Sequence, residues 1–130
     1  MQILNLRQLG MTAQQSELLC HTLVSSSVNG LKQLDLAYNE QCFADSDSAV
    51  DKLCEVIKQQ ESLEDLSLGR NNLSSTNTTK IVTSICESPC FNTIKVLFLS
   101  HCSFDTEDSR NSLGKIIAEA PLLSKISISD

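Results

Sequence analysis

The sequence predicts an α/β fold built as a solenoid. About four and a half strand–turn–helix units stack into a single domain over residues 1–130, with parallel strands on one face and helices on the other. Three observations carry this reading. A short apolar phrase recurs with starts at residues 1, 31, 63, 94 and 123, and a repeat at so regular a period means a stacked architecture. Between the copies lies a polar stretch rich in helix-capping residues, followed by apolar residues at helical spacing. Gly30, Pro89 and Pro121 then close units before the next copy begins.

The elements follow in order. The first copy of the phrase, Met1-Gln-Ile-Leu4-Asn-Leu6-Arg-Gln-Leu9, is degenerate. Its Leu4 and Leu6 alternate with polar residues, as a strand with one buried face should. Thr12 and Gln15 then fit a capping box, and Leu18, Leu19, Leu23 and Val24 supply the helix face. The second copy is Leu31-Lys-Gln-Leu34-Asp-Leu36-Ala-Tyr-Asn39. Its unit runs two residues long in the turn around Cys42 and Phe43, either of which fills the slot that Leu73 fills in the next unit. Ser48 precedes a helix carrying Val50, Leu53, Cys54, Val56 and Ile57.

The third copy, Leu63-Glu-Asp-Leu66-Ser-Leu68-Gly-Arg-Asn71, is the most regular. A polar stretch from Ser74 to Thr79 offers several caps. Ile81, Val82, Ile85 and Cys86 form the helix face, and Pro89 ends it. In the fourth copy, Ile94-Lys-Val-Leu97-Phe-Leu99-Ser-His-Cys102, cysteine stands in the asparagine slot and Phe104 replaces the later leucine. Asp105 or Thr106 caps a helix through Leu113, Ile116, Ile117 and Ala120. Leu123-Ser-Lys-Ile126-Ser-Ile128 begins a fifth copy.

Leu63, Leu66, Leu68, Asn71 and Leu73 match L-x-x-L-x-L-x-x-N-x-L, so the chain resembles the leucine-rich repeat proteins. Units of about 30 residues with a full helix resemble the ribonuclease-inhibitor-like subclass. The resemblance implies a right-handed leucine-rich repeat solenoid, a horseshoe segment with its parallel sheet on the concave face and its helices on the convex face. It also implies that the Asn71 amide bonds the backbone of adjacent turns. With Leu9 in the asparagine slot of the first unit, that ladder should start at Asn39. Terminal repeats usually carry caps. A chain that starts almost inside one strand and stops just after another is expected to belong to a longer chain or assembly.

Composition narrows the function. The net charge is −6, with no run of Lys or Arg. Binding to nucleic acid needs a basic footprint that displaces counterions from phosphates, so that class is not expected. No stretch is apolar for the length of a membrane span and no signal peptide is evident, so no membrane insertion is expected. Cys20, Cys54 and Cys86 recur inside successive helices, where a small apolar side chain is wanted. That placement reads as reduced, buried thiols in a cytoplasmic, intracellular protein.

Chemistry finds little support. His101 and Cys102 are adjacent on a strand and so point to opposite faces. Cys86 and Cys90 are the only close cysteine pair and have no second pair to complete a zinc site. The four glycines are isolated and form no phosphate loop. No catalytic residue, cofactor or metal is expected, and the chain reads as a non-enzyme.

The outward strand positions are the remaining candidates. They are Ile3, Asn5, Arg7 and Gln8 in the first row, then Gln33, Asp35, Ala37 and Tyr38, then Asp65, Ser67, Gly69 and Arg70. The fourth row is Val96, Phe98, Ser100 and His101, and the fifth is Lys125, Ser127 and Ser129. Phe98 and Val96 place apolar area where most rows are polar. With Tyr38, Arg70, His101 and Asp35 they make a patch of the types enriched at binding hot spots. The expected function is therefore protein–protein interaction, with a protein partner contacting these six residues. A second expectation is regulation of a small GTPase, since repeats of this subclass resemble those of Ran GTPase-activating proteins; Arg7 or Arg70 would then stabilise charge. A third is a structural segment of a larger scaffold or receptor.

Overall fold

The computed structural model describes residues 2–43 and 46–128. Met1 of the first copy and Ser129 of the fifth row lie outside the described residues. Five strands form one parallel sheet in chain order: β1 (Ile3–Asn5), β2 (Gln33–Asp35), β3 (Asp65–Ser67), β4 (Val96–Phe98) and β5 (Lys125–Ser127). Four helices lie between them: α1 (Ala13–Ser25), α2 (Asp47–Gln59), α3 (Ser75–Glu87) and α4 (Glu107–Glu119). Each helix packs on the next in chain order. The recurring phrase is in perfect register, with Leu4, Leu34, Leu66, Leu97 and Ile126 as successive Cα partners.

One core joins the two layers. Leu34, Leu66 and Leu97 from the strands meet Leu53, Ile57, Ile81 and Ile85 from the helices, all essentially without exposure. Because side chains alternate along a strand, Gln33, Asp35, Asp65, Ser67, Val96 and Phe98 lie on the face opposite the helices. The core is mainly aliphatic, with the Phe43 ring buried in it.

All four helices are 13 residues long, and each is opened the same way. A Ser or Thr hydroxyl at the N-cap (Thr12, Ser46, Ser74 and Thr106) accepts the N–H three residues on. Thr12 and Gln15 complete the expected capping box. The cap of α2 is Ser46 rather than a residue at Ser48, which lies inside the helix. Six residues lie between Asn39 and its cap Ser46, and two between Asn71 and Ser74. The second unit therefore lengthens its strand-to-helix turn by four residues, not two. The third unit masks the difference by spending residues elsewhere. Its Pro89 ends α3 as expected and then opens a 3₁₀ helix (Pro89–Asn92) that the apolar pattern did not reveal.

Two helix-face assignments need correction. Leu18 is 66% exposed and Ile117 is 52% exposed. In α1 the buried residues are Ser16, Cys20 and Leu23, a face turned away from Leu18. Ile117 occupies the helix position of Leu23, Ile57 and Ile85, which are buried because the following helix covers them. Among the described residues no helix follows α4. Cys42 and Phe43, offered as alternatives for one slot, are both buried.

The asparagine ladder takes the expected form. Asn71 Oδ1 accepts the Asn39 N–H at 2.8 Å, and Asn39 Oδ1 accepts the N–H groups of Leu9 and Met11. Both amide nitrogens donate to the Leu36 carbonyl. A second buried amide acts at the opposite turn. Gln60, with no exposure, accepts the Leu31 N–H and donates to Val28 and Val56.

Burial shapes the thiols. It pushes Cys20 up to about 12, with the neighbouring Cys42 and Cys54 adding to the shift, and pushes Cys42 up to about 11 against a hydrogen bond from Ser16. The sign follows directly. Between the ordinary thiol value of 9.0 and about 11, the unfolded chain loses these protons while the folded one keeps them. Their contribution is whole below pH 9.0 and falls above it, by up to about 1.4 kcal/mol per pH unit for each thiol. Thermal unfolding followed across this range should show alkaline destabilisation, with a shallower slope in Cys20→Ala.

Candidate functional site

β1, β2, β3 and β4 each leave the sheet through a residue in the left-handed region. Gln8, Tyr38, Arg70 and His101 occupy the same position in four consecutive units, at φ of 57°, 62°, 59° and 63°. Their N–H groups extend the ladder: Gln8 donates to Ala37, Tyr38 to Gly69 and Arg70 to Ser100. A side chain in this conformation costs about 1–2 kcal/mol relative to glycine. The repeat thus spends backbone strain to set a row of large side chains along one margin of the outward face.

Three of the six residues expected at a contact surface come together there. The Arg70 guanidinium lies over the Tyr38 ring at 5.4 Å, and the half-buried Phe98 ring covers Gly69 in the row beside it. A Cβ at Gly69 would collide with that ring, so glycine is what lets Phe98 lie down across the third row. Val96 is half-buried two residues earlier on β4, between Asp65 and Lys125 in register. His101, also half-buried, holds the next left-handed position after Arg70.

Asp35 is the one buried residue of the six. It is 6% exposed, and its carboxylate is occupied. One oxygen accepts the Ala37 N–H at 3.0 Å and the other accepts Arg7 Nε at 3.0 Å. Its carboxylate thus lies beneath the surface, holding an arginine.

That arginine is the residue absent from the expected contact set. Arg7 places its guanidinium 5.0 Å from the Tyr38 centroid and 5.9 Å from the Phe98 centroid. It reaches past the second row to the ring that Phe98 lays over Gly69, because the floor between is low. Arg7, Ala37 and Gly69 share one repeat position, and Ala37 and Gly69 are small and buried. The signal was present in the aligned copies, as two small residues beside one long one with an aspartate in the next row. Tyr38 therefore lies between two guanidinium groups, in the cation–π range for each.

Asp65 stands near this cluster. Burial raises its carboxyl above the usual range, the Asp35 carboxylate adds to that, and Arg7 opposes it. The helix side offers a different cleft, a groove of about 440 Å³ between α2 and α3 lined by Asp51, Lys58, Lys80 and Glu87 among others. Its charges already pair across it, Lys80 with Asp51 at 3.0 Å and Lys58 with Glu87 at 3.5 Å. Among the described residues no group of His, Cys, Asp or Glu is arranged to hold a metal ion, and no helix is long and apolar enough to cross a membrane. No protein-family profile matches the chain, and a search of curated proteins returns no match.

Proposed function

We propose that the chain is a segment of leucine-rich repeat solenoid of the ribonuclease-inhibitor-like subclass, and that it binds a protein partner on its concave strand face without performing chemistry. The observation that carries this reading is the Phe98 ring, half-buried over Gly69 and met by Arg7, whose guanidinium also lies over Tyr38, the ring on which Arg70 rests. Aromatic and arginine side chains supply much contact area and directed hydrogen bonds, which is why they dominate interface energies. Equal helices, in-register parallel strands and the Asn39–Asn71 amides support the repeat assignment. The buried thiols, held protonated, suit a reducing cytoplasmic compartment.

The contact set is Phe98, Arg70, Tyr38 and Arg7, extended by Val96 and His101. Affinity purification with the wild-type chain and with a Phe98→Ala/Arg70→Ala double variant tests it. The double variant should keep its circular dichroism and lose specific partners by about tenfold or more, as the removal of two hot-spot side chains requires. Undiminished recovery by the folded double variant would end the proposal.

A further inference from the structure

The charge of the outward face differs from that of the molecule. The chain carries a net −6, yet on this face Asp35 and Asp65 are outnumbered by Arg7, Arg70 and Lys125. The Asp35 carboxylate is already engaged by Arg7 through Nε, and the guanidinium carbon lies 5.0 Å from the Tyr38 ring centroid and 5.9 Å from that of Phe98. Asp65 is half-buried. Arg70 is exposed, rests on Tyr38 and is in no ion pair among the described residues, whereas Lys52, Lys58, Lys80 and Lys95 each have a carboxylate within 3.5 Å. Two guanidinium groups therefore border one aromatic platform, and one of them lacks a counter-charge.

We infer that the partner presents an acidic peptide segment, in which carboxylates flank an apolar side chain. The apolar side chain packs on Phe98 and Val96, and the carboxylates are received by Arg70 and the outer nitrogens of Arg7. Guanidinium suits this task, because its planar fork bonds a carboxylate through two parallel N–H groups while its face stays stacked on a ring. Stacking on Tyr38 also fixes both side chains in advance, so less rotamer freedom is lost on binding. The complementary field steers an acidic segment to this face, while the acidic remainder of the surface repels it.

This inference rests on the sheet-face reading, and the experiment separates the two. The intact chain, immobilised, is used to select from a library of short random peptides, and binding of the selected peptides is then measured by fluorescence polarisation. Selected peptides should be rich in Asp and Glu around an apolar residue. Their affinity should fall as salt rises. Replacing their Glu by Gln, or Arg70 by Gln in the chain, should each cost about tenfold. Neutral or basic peptides that require Phe98 would overturn the acidic assignment and leave the sheet-face reading standing. Peptides indifferent to both Phe98→Ala and Arg70→Gln would overturn both. A phosphoserine arm that binds far more tightly than the glutamate arm would transfer the site from carboxylates to phosphate. Self-association of the chain that Arg70→Gln abolishes would assign the face to a second copy and overturn the inference.

Discussion

Replacing Asn39 with alanine is expected to lower the unfolding free energy by about 3 kcal/mol. The side chain has no exposure and joins two units. Its oxygen accepts the N–H groups of Leu9 and Met11 from the first turn at 3.0 and 3.2 Å. Its nitrogen donates to the carbonyls of Leu6 and Leu36, each at 2.9 Å. Alanine strips all four groups at once. A buried group left unsatisfied costs about 1–3 kcal/mol. The full sum is not reached, because Leu9 lies at the surface, where water can replace the lost acceptor, and Leu36 retains the bond from Asn71. Urea unfolding should show a lower midpoint at unchanged slope. Amide exchange at Leu9 and Met11 should quicken more than exchange in β3. Asn39→Asp should not rescue the loss at neutral pH, since it restores the acceptor but sets a buried charge against two carbonyls. A change below about 1 kcal/mol would mean that the amide fills space rather than joins turns.

The ladder was legible in the sequence because asparagine is the wrong residue for an apolar slot. Only backbone groups needing partners explain it there. The strands were legible because Leu34 and Leu66 sit between polar neighbours, which fixes their face, and alignment of the copies assigns the same face to Leu97, whose own neighbours Val96 and Phe98 are apolar. The helices were harder to place. Ser46 and Ser48 are equally good caps by composition, and only the length of the turn before them decides, which local pattern does not encode. Leu18 and Ile117 were misplaced because helical periodicity gives a face but not its coverage. Ile117 repeats Ile57 and Ile85, yet among the described residues no helix follows to bury it.

The candidate site divided along the same line. Phe98, Tyr38 and Arg70 stood out as residue types at outward positions, and the register brings them together. Asp35 and Arg7 exchanged roles because their relation is a contact between rows. A carboxylate one row from an arginine becomes its anchor, and the trough over Ala37 and Gly69 then carries the guanidinium across to Phe98. Such a contact depends on what is absent at intervening positions, and single-position reading does not weigh absence.

Leu66→Ala should produce the largest loss, about 4 kcal/mol. The side chain is fully buried at the centre of the sheet, with Leu34 and Leu97 as its register partners on either side and helix residues beneath. Neither neighbouring layer can collapse into the void without breaking its own register, so the cavity term stays high. Because a domain of this size is stable by about 5–15 kcal/mol, the variant should unfold well before the wild type in urea. The same substitution at Ile126 is the control. It holds the equivalent position on β5 but is only partly buried, since among the described residues β4 is the strand that pairs with β5. Less apolar area leaves water on folding there, so the loss should be nearer 1 kcal/mol. In a stack where each layer contacts only its neighbours, the cost of a cavity follows its position in the series. Equal losses at Leu66 and Ile126 would contradict that picture, because they would place the terminal layer inside the same cooperative core as the middle one.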